Sequence, residues 1–512
     1  MKKIWKQAGT ALLAAAMAAL MLAGCGGNGN SGSTSSAAGK TETNSETSTA
    51  ASPDDGEIVK LRVWGYGDAK TEDCEEVAEA VSKITREKIG VEVELVRSID
   101  GEKLNLALTS GEKLDLASFH TYSGGLPGLV SVGLAMPLDN LLKEYGQDML
   151  KLIDPADLKC DAIGGVQYSV PSLKDTARGS GIAMRKDILD ELKIDPETIK
   201  TYEDIHDVLV KVKESHSELY PLVPSWSGGG MQDVFMQDEL GGSFGVLEDA
   251  SKDSTQVVNL YETDTYREFA ERMYQWNQEG LIMPDATTTT ENNLLGSVGF
   301  ADWENIKPGK KQEIEKNMGA EAVLVELNPA LKKTGISGSS SFFIPSACEY
   351  PEKAMQLWSL MFTDPEISNL FINGIEGKHY VYTDDSKTVI ATPEGVSTTG
   401  SGYASNDWAW PNCRITPVWE GCDPDQWKQL QEFSDTAIKS PALGFYFDPS
   451  TVMNETTACN NVVTKYDNGL RWGVLNPDEA LPKMIEELKA AGVDTIIAEK
   501  QAQLDKWLAE NQ

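Results

Sequence analysis

Apolar and polar residues follow a strand–helix–strand order in the first part of the chain. The stretch "IVKLRVWGYGD" (58–68) alternates apolar and polar positions and breaks at two glycines, which is typical of a buried strand. Residues 71–90 place apolar side chains at helical spacing and end on a glycine, which predicts an amphipathic helix. "VEVELV" (91–96) and "LDLASF" (114–119) predict a second and a third strand.

This order predicts an α/β fold with a mostly parallel sheet, because parallel strands are joined by helical crossovers. In open sheets of this kind, ligands bind beyond the carboxyl ends of the strands. The residues that follow the first and third predicted strands are Trp64, Gly65, Tyr66, Asp68, His120, Thr121, Tyr122 and Ser123. We expect Trp64, Tyr66, Asp68 and Tyr122 to face a ligand from one side.

Two short extended stretches flank a second α/β block farther along the chain. They are "QYSVPSLKD" (167–175), whose extended part ends at Pro171, and "GSSSFFIPS" (338–346), whose extended part ends at Pro345. Their separation predicts a chain that crosses to a second lobe and then returns. The C-terminal end is helical, since Asn476 and Pro477 form an N-cap pattern and a last helix begins near Asp494.

The N-terminus has the pattern of a bacterial export signal. Three lysines precede an uncharged apolar run that is too short for a membrane span. The run ends in "LAGC", which resembles a lipobox, so 1–25 is predicted to be a lipoprotein signal peptide with Cys25 as the acylated residue, carrying palmitate-type chains. The alternative is an ordinary secretory signal with a chance cysteine. Residues 26–56 have almost no apolar side chain and predict a disordered linker.

Charge excludes several classes of partner. The formal net charge is −34, and the signal peptide contains lysines but no acidic residue, so the remaining chain is more acidic still. Such a surface repels phosphate backbones and anionic lipids, so we expect no binding to nucleic acid. The chain beyond the linker is long enough for two or three domains with a large core.

Cysteine and histidine give little support for a metal or a cofactor. The cysteines are scattered without a C-x-x-C pair, and the four histidines form no cluster with ligand spacing, so no metal site and no cofactor is expected. An exported protein could form disulfides. Cys413 and Cys422 are the nearest pair, around "RITPVWEG", and either a disulfide or two separate thiols fits them.

Catalytic motifs are weak. "GGSFG" (241–245) satisfies G-x-S-x-G with Ser243 as nucleophile, but that elbow needs a preceding strand, and "MQDVFMQDEL" (231–240) predicts a helix instead. Asp302 and Glu304 could act as a glycosidase pair, yet among 79 acidic residues close pairs arise by chance. The sequence therefore does not favour an enzyme.

Tryptophans in polar or glycine-rich stretches point to a different chemistry. They are Trp226, Trp303, Trp408 and Trp410. Flat aromatic faces stack on sugar rings, and a carboxylate such as that of Asp302 accepts hydrogen bonds from sugar hydroxyls. The alternative is that these rings fill gaps at domain edges.

Longer stretches resemble the lipoprotein extracellular solute-binding proteins of carbohydrate-type ABC importers. "YSVPSLKD" resembles the first crossing between lobes in that family. "GIAMRKDILDELKI" resembles its Y-R-K-D-x-L-x-E-L-G-I element, although Met184 and Lys193 replace the usual aromatic residue and glycine. "EYPEKAMQLWSLMFTDPEISNLFINGIEGKHYVY" (349–382) is the strongest match. The tail from Gly444 resembles a C-terminal domain of unknown function in one subgroup.

The resemblance implies a domain organisation. It implies a two-lobe α/β fold of the periplasmic-binding-protein type (class II), with a hinge and a helical C-terminal extension. Lobe 1 is expected at 57–170 and 336–363, lobe 2 at 171–335 and 364–440, and the extension, packed on the lobes, at 441–512.

The resemblance also implies a function. It implies a monomer, lipid-anchored at the outer face of the cell membrane, that captures a solute, with an oligosaccharide favoured, and delivers it to the membrane permease of an ABC transporter. A peptide ligand, a secreted carbohydrate-active hydrolase and a surface adhesin are the alternatives. A sugar held between two lobes needs an aromatic surface from each, so Trp64 and Trp303 are the first pair expected to hold it.

Overall fold

The computed structural model describes residues 58–511, except 121–124, 232–233, 243, 397–401 and 404. The predicted signal peptide with Cys25, the predicted linker, Tyr122 and Ser243 lie outside the described residues. Residues Asp55–Gln512 form one compact unit. No helix in the part of the chain that the structure describes is long and apolar enough to cross a bilayer.

The described residues form four sheets and a larger set of helices. The strands are β1 Val59–Gly65, β2 Val91–Arg97, β3 Leu116–Ser118, β4 Ala162–Ile163, β5 Val166–Gln167, β6 Val170–Pro171, β7 Arg178–Arg185, β8 Tyr220–Leu222, β9 Gly299–Ile306, β10 Ala322–Lys332, β11 Ser341–Phe343, β12 Val381–Tyr382, β13 Val389–Ala391, β14 Val418–Trp419 and β15 Ile438–Lys439. The α-helices are α1 Thr71–Ile89, α2 Gly101–Thr109, α3 Gly125–Ser131, α4 Asp139–Tyr145, α5 Gln147–Leu150, α6 Pro155–Leu158, α7 Lys186–Glu191, α8 Tyr202–Ser215, α9 Asp264–Gln278, α10 Lys310–Met318, α11 Thr334–Ser337, α12 Pro351–Thr363, α13 Pro365–Asn373, α14 Gln426–Thr436, α15 Met453–Arg471, α16 Pro477–Ala491 and α17 Val493–Asn511.

The first sheet, the centre of lobe 1, has the order β2–β1–β3–β11–β6. β1 is parallel to β2 and to β3, which confirms the three strands predicted from the alternation of apolar residues. The two stretches predicted as crossings between lobes contain β6 and β11, which pair antiparallel with each other at one side of this sheet.

The second sheet, the centre of lobe 2, has the order β15–β10–β7–β9–β8. Its middle strands β10, β7 and β9 are antiparallel, while β8 and β15 are parallel to their neighbours. A small third sheet, β12–β13–β14, follows the return to lobe 1.

The boundary expected at residue 364 is wrong for much of the segment 364–440. Ile367 and Phe371 of α13, and farther along Tyr403 and Trp410, are buried in the same core as β1, α1 and α12 of lobe 1. Sequence patterns indicate which face of an element is buried, but not which sheet the element covers. This segment joins the second sheet at β15, which pairs with β10.

The C-terminal helices complete the core of lobe 2. Leu470, Trp472, Leu481 and Met484 lie in one hydrophobic cluster with Trp303 of β9. The helix α16 begins as the sequence indicates, with the Asn476 side chain accepting a hydrogen bond from the Asp478 amide. The extension therefore packs on lobe 2 through a broad apolar face.

The helix predicted over 231–240 is wrong for the residues described there. Residues 234–240 form no helix, and Asp238 instead makes an antiparallel bridge to Leu247. The fully buried Asp238 side chain accepts a hydrogen bond from the Leu240 amide at 2.9 Å, so a local turn replaces helical hydrogen bonds.

Candidate functional site

A cleft of about 1320 Å³ separates the two lobes. From lobe 1 it is lined by Asp68, just after β1, and by residues 405–408. From lobe 2 it is lined by β9 and α10, and the small third sheet and α14 close one side. This position beyond the end of β1 agrees with the position expected for a ligand from the strand order.

An aromatic corner lies at the carboxyl ends of β1 and β3. The Trp408 ring lies 5.0 Å from Tyr66 and 4.6 Å from His120, measured between ring centroids. Trp408 is partly exposed and lines the cleft, while its backbone amide donates to the Asp407 carboxylate at 2.8 Å. Tyr66 and Trp408, which the sequence analysis named separately, therefore lie together, and the Trp408 ring is partly exposed at the cleft.

Trp410 belongs to the core of lobe 1, so the prediction that it binds ligand is wrong. It is fully buried and stacked on Phe371, with ring centroids 5.4 Å apart. A Cβ at Gly65 would approach the Trp410 ring to 2.2 Å, so only glycine at this end of β1 admits the indole. The Arg97 guanidinium lies over Tyr403 and Trp410 and fixes the segment against β1.

The pair predicted to hold the sugar, Trp64 and Trp303, is also buried. Trp303 is 0% exposed and stacks on Trp276 at an angle of 12° between ring planes. Trp64 is 5% exposed and packs among the apolar side chains of a lobe 1 cluster that includes Phe343. Neither ring presents a face to the cleft, so the prediction is wrong for both.

Strand periodicity explains the position of Trp303. Side chains alternate between the two faces of β9, so Asp302 and Glu304 line the cleft while Trp303 enters the core between them. Asp302, which the sequence analysis named as a ligand contact, thus lines the cleft, and so does Glu304, which it did not name as such a contact.

The carboxyl groups on β9 lie in a desolvated position. Burial raises the pKa of Asp302 well above its usual range, and the nearby Glu304 carboxylate raises it further. Burial also raises the pKa of Glu304, although Lys310 lies 3.0 Å away and opposes this change. The buried Oδ1 atom of Asp302 has no hydrogen-bond partner among the described residues.

Charged groups at the crossings form the base of the cleft. The buried Lys174 ammonium donates to Ile336 O at 3.1 Å and to Ser339 Oγ at 3.0 Å, joining the two crossing segments. Burial lowers the pKa of Lys174 to about 8. Burial would raise the pKa of Asp175, but Lys307 at 3.4 Å and the Lys174 and Arg178 cations outweigh it and lower that pKa.

The sequence analysis did not name two tryptophans that line the cleft. Trp419 ends β14 and is partly exposed, with the Lys316 ammonium 4.9 Å from its ring centroid. Trp427 lies on α14, and its indole nitrogen donates to Thr416 O at 2.8 Å. "PVWEG" places Trp419 between proline and glycine, a signal of the same kind as that used for the other loop tryptophans. Trp427, in contrast, lies in a helical stretch, and its sequence neighbours give no sign of a binding role.

Trp226 follows a cleft residue in the chain, although it is not itself among the residues that line the cleft. Its side chain is 43% exposed, and the preceding residue, Ser225, lines the cleft. The exposed Asp68 lines the cleft from lobe 1, as predicted.

Thiols and metal ligands add no chemistry to this cleft. Cys413 and Cys422 line it as free thiols, and the Cys413 thiol donates to Leu173 O at 3.3 Å, so no disulfide joins them. Within the described ranges, no group of three His, Cys, Asp or Glu side chains is arranged to hold a metal ion.

Comparison with known families decides the classification. Residues 72–366 match the family model of the bacterial extracellular solute-binding protein. The chain belongs to this family of bacterial extracellular solute-binding proteins. Residues 441–509 match a second family model, described as a domain of unknown function. The solute-binding family recognised from sequence motifs is therefore confirmed, together with its C-terminal domain of unknown function, while the lipid anchor stays a prediction.

Similar proteins share the whole architecture. A carbohydrate ABC transporter substrate-binding protein of Streptococcus pneumoniae serotype 4 is 25% identical over 470 residues, which cover 89% of this chain and 92% of that protein. The crystal structure of the N-glycan transport solute-binding protein NgtS from S. pneumoniae has a TM-score of 0.77 and 25% identity, covering 89% of this chain and all of that one. The S. pneumoniae substrate-binding protein FusA, an EF-hand mutant in complex with fructo-nystose, has a TM-score of 0.64 and 16% identity over 88% of this chain and all of that one.

These structures confirm the two-lobe α/β fold of this solute-binding protein. The similar proteins are binding components of transporters and are not described as enzymes.

Proposed function

We propose that this solute-binding protein captures an oligosaccharide outside the cell and delivers it to the membrane permease of an ABC importer. The observation that carries the proposal is the cleft between the lobes, which combines a partly exposed tryptophan with an unpaired, buried carboxyl oxygen. Its volume of about 1320 Å³ exceeds the roughly 300–1,000 Å³ of pockets that enclose a small ligand. The names of the similar proteins support the same class of ligand.

Each lobe supplies a different kind of contact. Trp408, supported by Tyr66 and His120, offers an aromatic face for the C–H surface of a sugar ring. Asp302 on the opposite wall offers an acceptor for a hydroxyl group. A ligand that uses both contacts is bound fully only when the lobes approach each other, and it therefore favours the closed state.

We propose binding without turnover. A glycosidase places two carboxyl groups on either side of the scissile bond, and one of them must be ionised. Asp302 and Glu304 instead neighbour each other on one face of a single strand, and the pKa of each is raised. Glu304 is also engaged by the Lys310 ammonium. This arrangement supports recognition rather than hydrolysis.

The proposed location is the outer face of the cell membrane. The residues "LAGC" at 22–25 support acylation of Cys25, and 26–56 would then act as a tether of about 30 Å for a random coil. A two-chain or three-chain lipid group is sufficient for stable anchoring.

The proposal is tested with the purified chain from residue 26. Calorimetric titrations compare short mannose–N-acetylglucosamine oligosaccharides, fructo-oligosaccharides and peptides of similar size. We expect saturable binding of one oligosaccharide class and unchanged oligosaccharide in chromatography of the recovered mixture. Selective binding of peptides, or the appearance of hydrolysis products with micromolar protein, would contradict the proposal.

A further inference from the structure

The C-terminal module, residues 441–509, holds the turn that carries Trp226. The Trp472 indole nitrogen donates to Gly229 O at 2.7 Å. Four residues earlier, at the end of α15, the Asn468 amide donates to Gly228 O and to Thr287 O, both at 3.2 Å. Two consecutive carbonyl groups of the turn are thus bound by side chains of the C-terminal module.

The donor in this module is itself fixed to lobe 2. Trp472 is fully buried, and its backbone carbonyl accepts a hydrogen bond from the Asn277 side chain at 2.9 Å. Breaking the bond from Trp472 to Gly229 would leave a buried indole N–H without its partner, which costs more than the bond contributes when made. The turn is therefore held in one position relative to α9.

The turn has little freedom of its own. Gly229 has a φ of +78°, and a Cβ there would approach the Asn468 amide to 2.8 Å. A Cβ on Gly230 would approach the Trp226 ring to 2.0 Å, so the indole lies directly against the Gly230 backbone. This close approach fixes the orientation of the Trp226 ring while leaving 43% of the side chain exposed.

The same turn borders the cleft. Ser225, which precedes Trp226, lines the cleft and donates to Trp303 O at 2.6 Å. The Ser227 amide donates to the side chain of Asn292, which also lines the cleft, at 3.0 Å. The turn that carries this exposed ring is therefore fixed beside the cleft by hydrogen bonds that it donates to the cleft wall and by hydrogen bonds that it accepts from the C-terminal module.

We propose that the C-terminal module is a positioning element for ligand recognition, which holds Trp226 as an aromatic platform at the rim of the cleft. The inference rests on the proposed binding of an oligosaccharide in that cleft. Trp226 stacks on a sugar unit that projects from the cleft, and Asn468 and Trp472 act through the turn without touching the ligand. The function of this module is thus exerted on lobe 2 rather than on a separate partner.

A double-mutant cycle tests this coupling, with the dissociation constant for an oligosaccharide that the wild-type protein binds as the readout. Trp226→Ala removes the platform and should weaken binding about tenfold. Trp472→Phe keeps an aromatic ring but removes the indole donor, and Asn468→Ala removes the second donor at a partly exposed site. Each should weaken binding about three- to tenfold. When Trp226 is already replaced by alanine, neither Trp472→Phe nor Asn468→Ala should weaken binding further.

A matched control lies in the same module. Trp507 packs on Phe445, with ring centroids 6.0 Å apart, and makes no contact with the turn. Trp507→Phe should leave the dissociation constant unchanged. Measured melting temperatures separate a loss of folded protein from a loss of affinity.

The possible outcomes distinguish the two proposals. Wild-type protein that binds none of the oligosaccharides refutes the proposed function and this inference with it. Two results refute only the positioning role while the wild-type protein binds. In the first, Asn468→Ala and Trp472→Phe weaken binding as much in the Trp226→Ala variant as in the wild-type protein. In the second, neither substitution weakens binding at all. A Trp507→Phe variant that weakens binding as much as Trp472→Phe does would also refute it.

Discussion

Replacing Trp303 by alanine should destabilise lobe 2 and leave the intrinsic affinity for ligand intact. The ring is fully buried and stacked on Trp276, and it is surrounded by the core that also contains the C-terminal helices. Removal of a buried tryptophan costs about 3–5 kcal/mol, because the transferred area is lost and a cavity remains. If about 250 residues unfold together, the entropy of unfolding converts this loss into a fall in melting temperature of about 6–10 °C.

Trp408→Ala should weaken ligand binding and leave the melting temperature nearly unchanged. Its ring is partly exposed at the cleft and packs at the margin of the lobe 1 core, so we expect the melting temperature to fall by less than about 2 °C. Loss of a ring stack costs about 1 kcal/mol, and exposing about 40 Å² of apolar contact adds about 1 kcal/mol. Together these effects predict roughly thirtyfold weaker binding.

Scanning calorimetry and titration calorimetry on the same preparations separate the two roles. Trp303→Phe is the matched control, since it retains an aromatic ring in the core and should lose less stability than Trp303→Ala. The reasoning is refuted if Trp303→Ala weakens binding tenfold without a fall in melting temperature. It is equally refuted if Trp408→Ala binds oligosaccharide as tightly as the wild-type protein.

Three further changes probe the cleft, the crossing region and the anchor. Asp302→Ala should weaken oligosaccharide binding about fivefold or more in a calorimetric titration, because a ligand hydroxyl loses its acceptor; unchanged affinity would argue against this contact. Burial raises the pKa of Asp161 to about 7, so the native state retains a proton that the unfolded state releases near pH 4. The free energy of unfolding, measured in urea, should therefore decrease as the pH rises from about 4 to about 7. Asp161→Asn should make the free energy of unfolding depend less on pH in this range; an identical slope in both proteins would contradict the assignment. In cells, Cys25→Ser should shift the protein out of the membrane fraction or leave it unprocessed, whereas processed protein that stays membrane-bound would exclude the lipid anchor.

Local sequence patterns predicted the first sheet well. Alternation in β1 and β2 and the glycine after α1 depend only on neighbouring residues, and the structure has the same elements. The capped start of α16 was equally visible, because Asn476 and Pro477 act within one turn. Such elements are specified locally, so a single sequence contains enough information to find them.

Tertiary contacts limited the prediction of the site. Trp303 follows a charged residue and precedes another, and strand alternation alone would have placed it opposite Asp302 and Glu304. Alternation does not say which face of β9 lies in the core and which lines the cleft, because that depends on the elements packed on each face. Trp419 and Trp427 reach the cleft because segments far apart in the chain fold beside it, and no local pattern reports that arrangement.

The assignment of α13, Tyr403 and Trp410 to lobe 1 depends on the same kind of information. The helix α13 has one apolar face in the sequence, and that face could cover either sheet. Packing of Phe371 against Trp410, and of Trp410 against Gly65, selects the first sheet. Trp410 and Gly65 are separated by hundreds of positions in the chain, so no local pattern reports their contact.

The central claim is that an oligosaccharide binds between the lobes and favours their closure. Small-angle X-ray scattering, recorded while one oligosaccharide is titrated into the protein, measures this directly. The radius of gyration should decrease and saturate over the same ligand concentrations as the calorimetric heat, while the sugar remains intact. Saturable binding with no change in the radius of gyration, or closure produced equally by unrelated peptides, would contradict the claim.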